Sequence, residues 1–398
     1  MLPSLSASPT ALPERWVTRH VVLILVVQVV FGFGWSLYLL TPTFLTTVLH
    51  AGPETIGRIS AAGGLAGLLT VPFAARGLDR LGRKFFFRIG AALIVLLSIG
   101  FTLVREIGPF VYVLQGCVAA AFVLAFNATA ALLADHTPPA KLGQAIGWLG
   151  GANVLMNAVS TMLAEPLAKH YGWDSVFQLG AIAGIAAFLL SFALRDAPAA
   201  RLEAARQTSM PGTGAGTSLS TVLVSTMLIS GVFIAMFGFI QPYALGLGAR
   251  EVRGFFLGFS TSAVVCRLLL GGLGDRLGRR KLSALILIGY ALVTLVTVRL
   301  QPQFLVLYGL GFGAAHGLLY PTMNALVLEV VPASRRGLGM VLYNGAFNAG
   351  TTLGALAWGL LAAQHGYPSV YAVATLVALV SAAILMFGRR ATASADEL

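Results

Sequence analysis

The sequence predicts an all-α membrane protein with twelve transmembrane helices. Of its 398 residues, 57% are hydrophobic and only 10% are charged, whereas soluble domains carry about 25% charged residues. Apolar runs of about 20 residues recur along the chain, and each is long enough to cross the bilayer core as a helix. The runs do not alternate apolar and polar residues, as the strands of a membrane barrel would. The lipid bilayer is therefore the expected surroundings of most of the chain.

The twelve predicted spans fall into two groups of six. The first span is longer than the apolar region of a signal peptide and lacks a small-residue cleavage site, so we expect it to be a helix of the protein. Residues 195–217 are rich in Pro, Gly, Ser, Thr and Ala, which is typical of a flexible linker. The predicted spans are about 20–48, 55–75, 88–105, 108–134, 142–168, 173–194, 218–246, 251–273, 282–300, 303–330, 336–363 and 367–388.

This division predicts five regions of the chain. They are a tail at 1–19, a six-helix half at 20–194, the linker at 195–217, a second six-helix half at 218–388 and a tail at 389–398.

If both termini lie on one side of the membrane, nineteen of the 26 Lys and Arg residues lie on that side and six on the other. Such a bias predicts cytoplasmic termini and accounts for the net charge of +12 without a nucleic-acid partner. The composition favours a bacterial inner membrane.

The two halves contain the same motifs in the same order. The string GLDRLGRK occupies residues 77–84, and GLGDRLGRRK occupies residues 272–281. A shift of about 194 residues also aligns Asp135 with Glu329, Lys141 with Arg335 and Gly172 with Gly366. Parallel repeats of this kind, related by an axis along the membrane normal, build many secondary transporters.

The repeated loop resembles the signature of the major facilitator superfamily, and the resemblance extends over about residues 19–390. The signature is Gly, three residues, Asp, Arg, any residue, Gly, Arg, and then Arg or Lys. The second half has every position, whereas Ala75 replaces the glycine in the first half. The matching residues are Asp79, Arg80, Gly82, Arg83 and Lys84 in the first half, and Gly271, Asp275, Arg276, Gly278, Arg279 and Arg280 in the second.

The resemblance implies transport by alternating access, with these loops forming a cytoplasmic gate. Asp79 would contact the start of span 11, and Asp275 the start of span 5, because an acid is stabilised at a helix N-terminus. The arginines of the loops, Arg80, Arg83, Arg276 and Arg279, would form charge networks with Asp135 and Glu329. The alternative is that the loop charges only set topology. Lys and Arg alone would be enough to determine the topology, so the presence of acids in both loops favours the gate.

In the family that the chain resembles, helices 1, 4, 7 and 10 contribute most of the substrate cavity. Each of these spans carries aromatic and polar residues at helical spacing, which suits a site for a partly apolar molecule. Packing between helices is the alternative for any one aromatic residue. The expected lining residues are Gln28, Phe31, Trp35 and Tyr38 in span 1, Gln115, Phe122, Phe126 and Asn127 in span 4, Phe233, Phe237 and Gln241 in span 7, and Phe312, His316 and Tyr320 in span 10.

Spans 5 and 11 each carry two asparagines one helical turn apart. They are Asn153 and Asn157 in span 5, and Asn344 and Asn348 in span 11. These amides either bind substrate or hydrogen-bond neighbouring helices.

Proton coupling requires a titratable group within the membrane, and the sequence offers few. Asp135, Glu165 and Glu329 are the candidate acids, and all three lie near predicted helix ends. His316 lies deeper, and either takes part in coupling or substrate binding or is only a hydrogen-bond partner. Arg267 is the next deepest ionisable residue. It either faces the cavity and holds an anion, or extends to the cytoplasmic interface and supports the gate.

The short run from Arg267 to Gly271 resembles that of monocarboxylate carriers, in which the arginine binds the carboxylate. A similar run also occurs in many unrelated exporters of the superfamily.

Both cysteines, Cys117 and Cys266, lie within predicted spans, and they suggest neither a disulfide nor a metal site. We expect no cofactor.

The sequence therefore predicts a secondary active transporter of a small organic molecule. Proton-coupled efflux is favoured, and the stretches HGLLYP and YNGAFNAG resemble those of sugar- and drug-efflux branches. The alternative is proton-coupled or facilitated uptake of an organic anion such as a monocarboxylate. No phosphate-binding loop for ATP and no intramembrane catalytic constellation is visible, so an enzyme is not predicted. A receptor or scaffold without transport activity is a further alternative. We expect a monomer whose partners are the substrate, protons and lipid.

Overall fold

The computed structural model describes residues 16–138, 141–196, 217–332 and 335–388, which form helices joined by short turns. Most of the predicted linker and the predicted tails, apart from residues 16–19, lie outside the described residues. We number the twelve long helices α1 to α12. They are Arg19–Thr47, Pro53–Leu81, Arg83–Thr102, Pro109–His136, Leu142–Tyr171, Trp173–Leu190, Leu219–Gly246, Arg253–Leu270, Arg279–Thr297, Leu305–Val330, Arg336–His365 and Tyr367–Phe387.

Within the described ranges, eleven of these helices are long and apolar enough to cross a membrane. The remaining helix is α5, which has 30 residues and is therefore long enough to do so. Its glycines and amides, among them Gly147, Gly150, Asn153 and Asn157, give it a lower mean hydropathy. The predicted all-α fold is confirmed, and the chain is a multi-pass integral membrane protein.

The repeat in the sequence is also a repeat in backbone conformation. Gly82 and Gly278 have φ angles of +90° and +82°, and Gly172 and Gly366 have φ angles of +83° and +79°. Residues with a side chain rarely adopt this region, so glycine is needed at both turns of each half. The helices therefore group as α1–α6 and α7–α12, in agreement with the two predicted halves.

The charged motif lies on helices rather than in an extended loop. α2 ends at Leu81 and α3 begins at Arg83, so that Gly82 alone separates them. The predicted bounds of spans 2 and 3 were wrong by about five residues, because hydropathy detects the apolar stretch and not the helix end. Outside the hydrocarbon, a helix continues through charged residues that water can solvate.

α1 and α7 change their helical winding at related positions. α1 contains a 3₁₀ turn at Leu37–Leu40, and α7 contains a π-helical turn at Ala235–Phe239. Each turn is followed by a proline, Pro42 or Pro242, whose missing N–H removes a bond from the helix. Side-chain donors replace the missing backbone N–H groups. The Thr41 hydroxyl donates to the Tyr38 carbonyl at 2.7 Å, and the Gln241 amide donates to the Phe237 carbonyl at 2.7 Å.

The buried apolar residues form two clusters. One lies within the first half, and the other is centred on the second half but also includes Leu37, Leu40, Val154, Ala164 and Val176 of the first half. We call the end at which α1 begins and α12 ends the terminal end, and the opposite end the distal end. Near the distal end, α2 and α11 approach closely through small residues. A Cβ placed on Gly57 would lie 2.5 Å from the carbonyl oxygen of Ala355 and 2.8 Å from the Cα of Gly359. The distal end is therefore closed by contact between backbones.

We predict that Gly57→Val opens the distal end. The added side chain cannot fit against the α11 backbone, and overpacking of this kind costs about 1–3 kcal/mol. Spin labels at Tyr171→Cys and Phe304→Cys, two exposed distal positions in opposite halves, measure the separation by pulsed electron paramagnetic resonance. The labels require a background without Cys117 and Cys266.

Gly289→Val in α9 is the matched control, because the nearest atom to its added Cβ is the Cβ of Ala315 at 4.0 Å. The control should keep the distance distribution of the parent protein. A folded Gly57→Val protein with an unchanged distribution would show that this contact does not hold the distal end closed.

Candidate functional site

The second half contains a small cavity with a mostly aromatic wall. α7, α9, α10 and α11 surround it, and its lining residues are Thr226, Ile229, Phe233, Tyr290, His316, Leu319, Tyr320, Met323, Tyr343 and Phe347. Three predicted site residues, Phe233, His316 and Tyr320, thus lie together in its wall. Phe237 and Phe312 lie behind them, among Phe255 and Phe259 in the buried core.

His316 is held in a fixed orientation in this wall. Its Nδ1 lies 2.5 Å from the hydroxyl of Tyr290 on α9. The ring of Phe233 lies 4.7 Å from the imidazole, centroid to centroid, and the rings of Phe312 and Tyr320 lie 6.0 and 6.2 Å away. The imidazole is therefore a polar group inside an aromatic cage.

Arg267 extends from α8 toward both α10 and the first half. Its Nε donates to the Gly317 carbonyl at 3.0 Å. Its Nη1 lies 3.3 Å from the position that a Cβ on Gly150 of α5 would occupy. Arg267 also lies close enough to His316 and Tyr320 to interact with them electrostatically. The guanidinium thus lies at the interface between the halves.

The first half contributes a second aromatic group. Trp35 packs against Phe122 in a tilted arrangement with ring centroids 4.3 Å apart, and Phe122 stacks against Phe126 at 5.1 Å. The indole nitrogen of Trp35 donates to the Val118 carbonyl at 3.1 Å. All three rings are partly exposed, so they can line a path.

Two predicted lining residues of α1 point elsewhere. Phe31 is fully buried against Phe87 of α3. Tyr38 is buried between Phe101 and Phe177, and its hydroxyl lies 2.6 Å from the Ser98 Oγ. The helical period groups residues on one face but does not fix which neighbour that face contacts, and these two rings pack inside the first half. Phe312, which is also fully buried, belongs in the same way to the core of the second half.

The polar residues Gln28, Asn153 and Asn157 connect helices within the first half. Gln28 accepts a hydrogen bond from Thr129 at 2.6 Å and donates to Asn153 at 3.4 Å. Asn157 accepts one from Ser36 at 2.9 Å. α1, α4 and α5 are joined by these bonds, which is the helix-packing alternative for these amides.

Gln241 and Asn348 lie at contacts between the halves. Gln241 of α7 accepts from the Thr43 hydroxyl and donates to the Leu39 carbonyl, both at 2.8 Å and both on α1. Asn348 of α11 lies against Gly67 of α2 and donates to the Asn344 carbonyl at 2.9 Å.

Two further predicted amides lie on α4, and Asn344 lies on α11. Asn127 donates to the Val123 carbonyl at 2.7 Å. The Gln115 Oε1 is buried and has no hydrogen-bond partner among the described residues.

Glu165 joins the two halves at the distal end. Its carboxylate accepts from the backbone N–H of Val252 at 2.8 and 3.0 Å and from that of Arg253 at 2.7 Å. These amides begin α8, where N–H groups lack partners within the helix and favour an anion. Arg253 adds a bond from its guanidinium to the Met162 carbonyl at 3.4 Å. The carboxylate caps a helix of the other half.

The other two candidate acids form ion pairs at the terminal end. Asp135 pairs with Arg83, and Glu329 pairs with Arg279 at 2.5 Å, so that each pair lies within one half. These pairs occupy corresponding positions of the repeat. The side chains of Asp79, Arg80 and Asp275 lie outside the described part of the structure, and the predicted gate at the starts of α5 and α11 stays a prediction. The same holds for the role proposed for Gly82, Arg276 and Gly278.

Tyr290, Tyr343 and Phe347 line the cavity and were missed by sequence reasoning. Tyr290 lies on α9, which had no predicted site residue, and the other two lie on α11, where only Asn344 and Asn348 were considered. The spacing of Tyr343 and Phe347, one turn apart on α11, is a signal that could have been used.

Comparison with known proteins places the chain in a family. The sequence model of the Major Facilitator Superfamily matches residues 24–256 and 219–397. The multidrug resistance protein MdtG of Citrobacter koseri is 32% identical over 332 residues, which are 78% of this chain and 79% of MdtG. The cis,cis-muconate transport protein of Acinetobacter baylyi is 24% identical over 342 residues, 81% of this chain and 80% of that protein.

Solved structures show the same fold at low sequence identity. The inward-open xylose transporter XylE from E. coli superposes with a TM-score of 0.74 and 14% identity, covering 94% of this chain and 97% of XylE. A peptide transporter, POT, in complex with sulfate gives a TM-score of 0.73 and 13% identity, covering 92% and 94%. These likenesses show the fold of the chain.

We predict that Glu165→Gln weakens the closed distal end. The amide keeps the shape but loses the charge that the α8 amides bind, at a cost of about 1–2 kcal/mol. The separation of spin labels at Tyr171→Cys and Phe304→Cys should shift toward longer distances. Glu54→Gln is the matched control, since the Glu54 carboxylate pairs with Arg58 of its own helix. If both variants keep the parent distribution, the Glu165 cap does not control the distal end.

Proposed function

The chain belongs to the Major Facilitator Superfamily, and we propose that it is a secondary active transporter that exports a small, partly apolar organic molecule in exchange for protons. The observation that carries this proposal is the aromatic cavity beside the contact between the halves. Its wall combines rings with a single imidazole and adjoins a guanidinium, as expected for a site with few polar groups. A membrane enzyme lacks support from the family and its fold.

In an alternating-access cycle, the contacts between the halves at the distal end would act as a gate. The closed distal end, held by Gln241, Gly57 and Glu165, would block one entrance while the terminal end gives access to the cavity. Transport would then require these contacts to break and the loops around Asp79 and Asp275 to close the terminal end. In this proposal both termini face the cytoplasm of a bacterium, as the distribution of Lys and Arg indicates. The transporter acts as a monomer, and the linker at 195–217 joins its two halves.

The relatives that the chain resembles favour export as the direction of transport. MdtG proteins carry the description of multidrug resistance proteins, and the Citrobacter koseri protein is 32% identical to this chain. The aromatic wall is consistent with such a role, because rings accept varied apolar bodies without demanding many hydrogen bonds.

Uptake of an organic anion is a second candidate. One relative is described as a cis,cis-muconate transport protein, and muconate carries two carboxylates. Arg267 supplies a cation at the interface of the halves. Export and uptake differ in the sign of coupling to protons, so one experiment separates them.

Proton coupling would use one or more of His316, Asp135, Glu165 and Glu329. Their positions give them different roles. His316 lies in the cavity wall, Glu165 holds the distal end, and the other two acids pair with arginines at the terminal end. A proton that binds any of them alters a contact that one state of the transport cycle uses.

The direction of coupling is testable in proteoliposomes without control of protein orientation. With an imposed pH gradient, an antiporter should accumulate its substrate on the acidic side, whereas a symporter accumulates it on the alkaline side. Anionic, neutral and cationic aromatic probes should be compared, with protein-free liposomes as the blank. Accumulation of a probe on the acidic side supports export. Accumulation on the alkaline side supports the second candidate, and no protein-dependent flux of any probe contradicts both.

We predict that Phe233→Ala weakens binding of the transported probe roughly 3- to 10-fold. A ring contact contributes about 0.5–1.5 kcal/mol beyond its buried area, and Phe233 contacts both His316 and Phe347. Phe387→Ala is the matched control, because Phe387 is 82% exposed at the end of α12. Equal concentration dependence of flux in the two variants would place the substrate outside the aromatic cavity.

A further inference from the structure

A groove of about 520 Å³ lies at the distal end of the second half, where α9 is connected to α10. Its apolar wall includes Leu295 and Val296 near the end of α9 and Phe304 just before α10, and all three side chains are exposed. Arg299 and Gln301, in the connection between the two helices, form its polar rim. Exposed apolar side chains at the end of a membrane helix contact lipid, so the groove opens toward the bilayer where the hydrocarbon meets water.

Arg299 is an exposed cation at the rim of the groove and has no carboxylate partner among the described residues. The repeat provides a comparison, because a shift of 194 residues aligns Arg299 with Arg105 in the connection from α3 to α4. The Nη2 of Arg105 lies 3.4 Å from the carboxylate of Asp174. The same shift aligns Asp174 with Pro368, which has no charge. The first half therefore supplies an anion to its distal arginine, whereas the second half leaves the aligned arginine to an anion from outside.

The connection between α9 and α10 is held in place by hydrogen bonds. The Tyr243 hydroxyl of α7 donates to the Val298 carbonyl at 3.0 Å, and the Tyr308 hydroxyl of α10 accepts from the Gln301 N–H at 3.2 Å. The Gln301 Oε1 accepts from the Gln303 amide at 3.0 Å, so the Gln301 amide still has N–H groups to donate. A rim that is ordered before the ligand arrives lowers the entropy that binding must lose.

The charge around the groove favours an anion. α10 begins at Leu305, directly after Phe304, and the N-terminus of a long helix carries a partial positive charge. Arg299 adds a full positive charge beside it. Between Asp275 and Glu329 the sequence contains no acidic residue, so neither α9 nor the first six turns of α10 offsets these charges. A phosphate suits this rim, because the planar guanidinium can donate two N–H groups to two of its oxygens.

We propose that this groove binds an anionic phospholipid of the distal leaflet. The lipid phosphate contacts Arg299 and the Gln301 amide, and an acyl chain lies along Leu295 and Val296. The occupant must be amphiphilic, since a free phosphate would leave the apolar wall uncovered and a hydrocarbon would leave the arginine without a partner. A zwitterionic lipid has the same phosphate but brings a second cation toward the arginine, which weakens its binding. The site is separate from the aromatic cavity and adds a lipid ligand to a protein proposed to move a soluble one.

Native mass spectrometry of the purified full-length protein tests this site. The delipidated protein in detergent is mixed with equal amounts of phosphatidylglycerol and phosphatidylcholine that have the same acyl chains. We expect the parent protein to retain more phosphatidylglycerol. Arg299→Gln should lower retention of phosphatidylglycerol about 3- to 10-fold and leave phosphatidylcholine within about 2-fold, as expected for one arginine near the membrane surface. Arg299→Lys keeps the charge and should restore most of the retention.

Arg105→Gln is the matched control, because it removes the aligned arginine of the first half, whose charge is paired with Asp174. It should retain both lipids as the parent protein does. Basic residues at the terminal end also attract anionic lipid, so the quantity that decides is the difference between the two variants. Equal retention of both lipids by the parent protein overturns the inference, and so does an equal loss of phosphatidylglycerol in Arg299→Gln and Arg105→Gln.

The position of the lipid is tested with phosphatidylglycerol that carries a photoreactive group on its acyl chain. Labelling should occur in the α9 segment that contains Leu295 and Val296, and labelling that avoids this segment overturns the inference. A second copy of the chain is the other occupant that an apolar groove could take. Dimers in the mass spectrum that Phe304→Ser abolishes would assign the groove to that copy and overturn the lipid site. Both measurements use neither a substrate nor a pH gradient, so their outcome is independent of the transport experiment.

Discussion

Contact between the backbones of α2 and α11 is the constraint on which the described arrangement depends. Lipid does not drive helices together as water does, so close packing and hydrogen bonds must hold the halves. Glycine at Gly57 and Gly359 lets the helices touch, and a side chain at Gly57 would meet backbone atoms. Polar bonds from Gln241 and Glu165 reinforce the same end. Apolar packing adds to these contacts, since Leu37, Leu40 and Val176 of the first half belong to the buried cluster of the second.

Hydrogen bonds inside each half make the halves suited to move as units. Gln28, Thr129 and Asn153 join three helices of the first half. In the second half, Ser225 of α7 lies 2.7 Å from Ser381 of α12. Buried polar bonds cost free energy when they break. In the proposed transport cycle, a transition between states would preserve these internal bonds and change the bonds between the halves, as rigid-body movement of repeats requires.

Sequence reasoning predicted the features that depend on composition and local pattern. Hydropathy located the helices, and the repeat located turns such as Gly82 and Gly278, whose positive φ angles require glycine. It did not predict that Phe31 and Tyr38 face the core of their own half, since helical spacing leaves the absolute orientation of a helix undetermined. It also did not predict that Glu165 caps α8. The partner of that carboxylate is a pair of backbone amides 87 and 88 residues away. A sequence does not show which backbone amides a distant side chain will contact.

Arg267 lies at the contact between the halves, so its surroundings depend on how the halves are arranged. Its guanidinium is bonded to α10 of one half and lies against Gly150 of the other. A ligand shifts a conformational equilibrium only if it interacts differently with the two states. A charge inside one half would experience nearly the same surroundings in both states, whereas a charge at the moving interface would not. The guanidinium therefore has different surroundings in the described state and in one where α5 and α8 have separated, which is the kind of difference that coupling requires.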